Sequence, residues 1–189
     1  MSTVSAPFGL RPVYSPSGVV RPSVSTILSG YASNIYQNQP VLVASSGGGD
    51  GTIQTMAALT DRIVGTFQGV EWTDTDGRRR VSNKWTGGTT GTDIVAYYTY
   101  DPQLIYEIQA NGPIAQADLG KQFKFTAIGT GSSVVGISQM MLDTATSTAN
   151  ASIQLLGITP GSDNAYGDNF TIAQVRISQH QYAADIAAF

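Results

Sequence analysis

His180 is the single imidazole of a 189-residue chain that contains no cysteine. Disulfides, a thiolate nucleophile, a cysteine/histidine zinc site and an iron–sulfur cluster all need side chains this chain lacks. A serine–histidine–aspartate triad would have to pass through His180. Nothing in Ser178-Gln179-His180-Gln181 supplies the activated nucleophile and orienting carboxylate such a triad needs. His180 therefore reads as a surface or hydrogen-bonded structural histidine. Asp74-Thr75-Asp76-Gly77 opens like a calcium loop, but the later acidic ligands and the closing glutamate are missing. Arg78-Arg79-Arg80 follows at once and would repel a divalent cation, so the stretch reads as a hairpin turn. With Lys84 the three arginines form the one basic cluster, either a solvated loop or a contact with an acidic protein surface. The acids number 13, and glutamate occurs only at Glu71 and Glu107. Asp50, Asp101, Asp163 and Asp168 lie beside turn residues, so no carboxylate pair for glycoside hydrolysis stands out. Gly47-Gly48-Gly49 belongs to a flexible loop at 45–51 and lacks the lysine and hydroxyl of a phosphate-binding loop. Trp85, Tyr97, Tyr98 and Tyr100 could line a sugar site, but core and sheet packing is the better account of them. The sequence nominates no catalytic, cofactor-binding or metal-ligating residue, and an enzyme is not expected.

Charged residues make up only 12 % of the chain, about half the usual share. Threonine, serine, glutamine and asparagine take their place, which suits strands and broad uncharged contact surfaces. A net charge of −3 disfavours a nucleic-acid partner, whose phosphates call for a basic field. No apolar run approaches the ~18 residues of a membrane span. The opening residues carry no basic stretch leading into an apolar one, so no secretory signal is expected. Asn150-Ala151-Ser152 and Asn169-Phe170-Thr171 then match the glycosylation pattern by chance.

The elements available to carry a surface are short strands. From about residue 52 they succeed one another at Ile63–Trp72, Val81–Trp85, Ile94–Tyr100, Leu104–Gln109, Phe123–Ala127, Val134–Ile137, Ile153–Ile158 and Phe170–Ile177. The expectation is an all-β fold, a sandwich or barrel of eight to nine strands with little helix. Phe123-Lys124-Phe125 alternates with period two and places both rings on a buried face. One helical turn at Ile114–Leu119 is expected to end at Gly120. Tyr182, Ile186 and Phe189 are spaced for a short amphipathic helix. Residues 1–40 differ from the rest: five of the eight prolines fall there, with only Arg11 and Arg21 charged. Apolar residues recur between them, so this segment is either an irregular strap on its own domain or an arm lying on a neighbouring subunit. The expected organisation is an extended arm at 1–40, a β domain at 41–182 and a tail at 183–189.

Five blocks carry a family resemblance. They are Ala6-Pro7-Phe8-Gly9-Leu10-Arg11-Pro12-Val13, Gly69-Val70-Glu71-Trp72, Val81-Ser82-Asn83-Lys84-Trp85, Tyr106-Glu107-Ile108-Gln109-Ala110-Asn111-Gly112 after Asp101-Pro102, and Val175-Arg176-Ile177-Ser178-Gln179-His180-Gln181-Tyr182. In order and spacing they resemble the capsid decoration, or cement, proteins of tailed bacteriophages. The resemblance implies a structural virion protein, made in the bacterial cytoplasm, that binds the major capsid protein on the outer face of the shell and stabilises it. It implies no cofactor. A homotrimer suits the threefold positions of an icosahedral shell. The candidate capsid contacts are Phe8, Leu10, Arg11, Val13 and Tyr14 in the arm and Arg78, Arg79 and Arg80 in the basic cluster. A tail or head-fibre adaptor, or a carbohydrate-binding β-module for host attachment, is the alternative.

Overall fold

The computed structural model describes residues 4–45, 49 and 51–187. Twelve strands follow in chain order: β1 Arg11–Tyr14, β2 Ser23–Ser25, β3 Pro40–Val43, β4 Ile53–Thr55, β5 Gly65–Asp74, β6 Arg79–Ser82, β7 Gly91–Tyr98, β8 Ile105–Gln109, β9 Gln122–Thr126, β10 Met141–Ser147, β11 Ile153–Ile158 and β12 Ile172–Ile177. They form two antiparallel sheets in a sandwich-like arrangement, not a closed barrel. The first runs β1-β8-β12-β11-β9-β10; the second runs β2-β7-β5-β3-β4, with β6 also paired to β5. Among the described residues there is no α-helix, only a 3-10 turn at Gln116–Asp118 followed by Gly120 at φ 81°. That is the short turn and glycine stop expected near Ile114–Leu119.

Alternation explains the strands that are legible. In β9 Phe123 and Phe125 are buried and Lys124 is half-buried; in β12 Ala173, Val175 and Ile177 are buried between half-buried neighbours. Each sheet covers its own cluster. The first cluster gathers Leu10, Tyr106, Phe123, Phe125, Leu142 and Val175, among others. The second gathers Ile27, Phe67, Val70, Trp85, Ala96 and Tyr98, among others. A buried polar chain joins them. Tyr106 and Thr99 share a hydroxyl bond of 3.0 Å, Thr99 and Thr66 another of 3.1 Å, and the Thr66 amide donates to Thr99 Oγ1 at 2.9 Å. Burial pushes the Tyr106 phenol above its usual range, so it stays protonated and available to donate.

The proline-bearing segment lies along its own domain. β1 pairs with β8 and β2 with β7, each at the edge of a different sheet. Proline is tolerated there because an edge strand has one side that pairs with nothing. Pro12 sits within β1 opposite Tyr106. Leu10 is fully buried, and its amide donates to the Asn38 carbonyl at 2.8 Å. Gly9 precedes it at φ +74°, and a Cβ there would lie 2.5 Å from the same carbonyl, so no larger residue fits.

Two expectations fail. Val134–Ile137 is not a strand: residues 133–135 are a turn, with Val134 92 % exposed, because the Gly136 amide closes on the Ser132 carbonyl at 2.8 Å, and Ile137 makes only an isolated bridge to Gln37. Residues 181–187 form no helix, since long-range bonds hold this backbone. Ile186 N–H donates to the Ser178 carbonyl at 3.0 Å, and Arg62 donates to the Ala183 carbonyl at 3.3 Å. Phe189, the end of the expected stripe, lies outside the described residues, as do Asp50 and Ser46-Gly47-Gly48 of the glycine-rich loop.

Candidate functional site

The basic cluster is neutralised on its own hairpin. The Asp74 amide donates to the Arg78 carbonyl at 2.9 Å and the Gly77 amide to the Asp74 carbonyl at 2.9 Å, closing the turn between β5 and β6. Arg80 pairs with Asp74 at 3.2 Å and Asp76 at 3.0 Å, Arg78 approaches Asp76 at 3.7 Å, and Arg79 pairs with Glu71 at 3.2 Å. Three guanidinium groups thus face three carboxylates, and the hairpin offers little net field to a partner. Exposed pairs of this kind contribute about 0–1 kcal/mol each. The turn reading of Asp74–Gly77 stands. Among the described residues no group of three metal-ligating side chains comes together, and no helix is long and apolar enough to cross a membrane.

The arm candidates are split by the fold. Leu10 is in the core and touches no outside surface. Phe8 is half-buried, with the Arg11 guanidinium 4.7 Å from its ring centre. Arg11 is bound to Glu107 at 2.5 Å, and Glu107 also accepts from Thr159 Oγ1 at 2.9 Å. Only Val13 and Tyr14 present apolar surface outward, on the edge strand β1. The aromatic residues weighed as a sugar platform do not converge. Trp85 and Tyr98 are buried in the second cluster, Tyr97 lies on the outer side of β7, and Tyr100 is exposed beyond the end of that strand.

Strand register assembles a surface that local sequence does not show. Val24 of β2 pairs with Tyr97 of β7, Tyr97 with Gly69 of β5, Glu71 with both Val95 and Val81, and Thr73 with Arg79. Directly opposed residues share a face. Their strand neighbours Val70, Ala96 and Ile94 are buried, so this set forms the outer face of the second sheet. At its centre the Tyr97 hydroxyl donates to Glu71 Oε1 at 2.8 Å, while Arg79 meets the same oxygen at 3.2 Å. The Tyr97 bond, and then the Arg79 guanidinium, hold the Glu71 carboxyl below its usual range; the shared proton pushes the Tyr97 phenol up. The cluster carries no net charge at neutral pH.

Apolar side chains flank this centre. Val24 is 61 % exposed and Val81 77 % exposed. Past β6, Asn83 Nδ2 donates to the Val135 carbonyl at 2.9 Å and Lys84 Nζ bonds the Ser133 carbonyl, which fixes the turn that carries exposed Val134 and Val135 against the same edge. The face therefore combines exposed valines with polar groups already bound to one another. Such a surface can be covered without stripping water from an unpaired charge.

The chain was compared with protein-family models, with curated proteins and with solved structures, and it has no significant match to any of them.

Proposed function

We propose that this chain is a structural virion protein that binds the outer surface of a tailed-phage capsid shell and stabilises it, with the outer face of the second sheet as its contact. The observation that carries the reading is that face: exposed Val24 and Val81 on either side of the self-satisfied Tyr97–Glu71–Arg79 cluster. Broad adhesion to many identical sites favours such a surface, because lattice repetition multiplies contacts that are individually weak. The blocks that resemble cement proteins are also neighbours in space. Ala6–Val13, Tyr106–Gly112 and Val175–Tyr182 fall around β1, β8 and β12, three consecutive strands of one sheet. Gly69–Trp72 and Val81–Trp85 fall around the paired strands β5 and β6. A trimer seated on a threefold position, with the major capsid protein beneath it, completes the proposal.

Co-sedimentation with shells stripped of their decoration tests it. Val24→Glu and Val81→Glu each place a carboxylate in the proposed contact, which costs about 1–3 kcal/mol when left unpaired, or roughly fivefold to a hundredfold in affinity. Both variants are expected to lose shell binding while keeping the wild-type melting temperature. Val13→Glu, on the edge of the other sheet, is expected to bind normally. Unchanged binding by both face variants refutes the assignment. Binding of the free protein to bacterial surface sugars, with none to shells, would favour a host-attachment module instead.

A further inference from the structure

His180 lies where the two sheets meet the C-terminal segment, and its neutral ring is held in one tautomer. The residue is 1 % exposed. Its Nδ1 accepts the backbone N–H of Tyr182 at 3.0 Å, so the ring proton of the neutral form must sit on Nε2. Nε2 is buried and makes no hydrogen bond of good geometry among the described residues, although the Val64 and Tyr100 carbonyls lie close enough to the ring to favour its protonated form. The backbone here is stitched to the seam: His180 bridges Ile63, and the Gln181 amide donates to the Ile63 carbonyl at 3.0 Å. Beyond that point the chain is held by Ile186 N–H on the Ser178 carbonyl, by the Gln122 and Gln154 side-chain amides on the Ile186 and Ala187 carbonyls, by Arg62 on the Ala183 carbonyl, and by the contacts of Gln181 and Asp185. The Gln181 side chain accepts from Val43 N–H at 2.7 Å and donates to the Val43 carbonyl at 3.1 Å, and Arg62 pairs with Asp185 at 2.6 Å. Ala183, Ala184 and Ile186 form one wall of a half-open cavity of about 420 Å³, with Pro102, Ile105 and Leu156 also lining it.

We propose that protonation of His180 breaks the turn at Tyr182 and lifts segment 181–187 from this seam, so that mild acid uncovers the apolar cavity behind it. A proton on Nδ1 turns an acceptor into a donor that faces the Tyr182 N–H. That bond is lost, and a cation is left at a buried position. The groups facing the ring come from four elements. Asp101, after β7, favours the cation, and Arg62, before the Ile63 bridge, opposes it. Asp185 in the tail is already paired with Arg62. The Tyr182 ring stands edge-on at 5.9 Å, and Arg176 of β12 lines the same cavity. Burial is the largest influence and pulls the ring below its ordinary range; the Val64 and Tyr100 carbonyls and Asp101 only partly counter it. A depressed pKa means that the unfolded or released state binds the proton better. Attachment of the segment is therefore complete above about pH 6.5 and weakens as pH falls from there to the folded pKa.

The test is an NMR titration of the wild-type protein from pH 7.5 to 5, following the His180 ring, Tyr182 amide protection corrected for intrinsic exchange, and fluorescence of a dye that binds apolar surface. The ring is expected to titrate below 6.5, with protection falling roughly tenfold per unit of that depression and dye fluorescence rising at the same midpoint. His180→Asn keeps a side-chain acceptor without the titration and is expected to remove the step. A ring that titrates at or above 6.5, or a Tyr182 amide that stays protected while the ring titrates, overturns the proposal in the wild-type protein alone. An equal step in His180→Asn overturns it as well. None of these outcomes depends on capsid binding.

Discussion

A chain that begins at residue 21 is expected to lose its cooperative thermal unfolding. The deletion removes Leu10, whose fully buried side chain belongs to the first cluster; losing a buried leucine alone costs about 2–5 kcal/mol. It also removes β1, leaving the hydrogen-bonding edge of β8 open to water. Glu107, only 7 % exposed, loses the Arg11 guanidinium and keeps Thr159 as its side-chain partner. Losing that charge-assisted bond adds about 1–3 kcal/mol. The sum is comparable with the whole stability of a typical domain, about 5–15 kcal/mol. Calorimetry of the truncated and full chains decides it. A truncated protein that melts cooperatively within a few degrees of the full chain would show that residues 1–20 are a free arm.

Phe125→Ala is expected to destabilise the fold by about 3–5 kcal/mol, the usual cost of emptying a buried aromatic site. Phe125 is 1 % exposed and lies in the first cluster with Phe123, Leu142 and Ile153. For a chain of this size that corresponds to a drop in melting temperature of roughly 6–20 °C. Lys124→Ala, on the other side of the same strand, is expected to change stability by less than about 0.5 kcal/mol. Denaturant titration of both variants checks the pair. A loss below about 1 kcal/mol for Phe125→Ala would mean that this face is not a packed interior.

These residues also show what the chain reveals before it is folded. The side of β9 that is buried can be read from Phe123-Lys124-Phe125, because the period of a strand is local. The strands β1 and β2 are not legible: three or four residues beside prolines argue against a strand unless an edge position is known, and that position depends on β8 and β7 far along the chain. The same ignorance of neighbours makes Leu10 look like a docking residue when it is core. β10 carries only Leu142 as a fully buried residue and reads as polar loop. The outer face of the second sheet is the least visible feature. Val24, Glu71, Val81 and Tyr97 come from four strands, and each is unremarkable in its own stretch. What the sequence does expose there is the Arg78–Arg80 run, and its meaning changes once Glu71, Asp74 and Asp76 are seen to neutralise it.

The central claim is that this protein decorates a capsid exterior through the outer face of its second sheet. The most direct measurement is electron cryo-microscopy of shells stripped of decoration and then mixed with the purified wild-type protein. The account predicts added density at symmetry-related positions on the outside of the shell, with β2, β7, β5 and β6 turned toward the capsid surface and the strands of the first sheet turned away. Bare shells, or density in which the first sheet makes the contact while Val24, Tyr97 and Val81 face solvent, would contradict it.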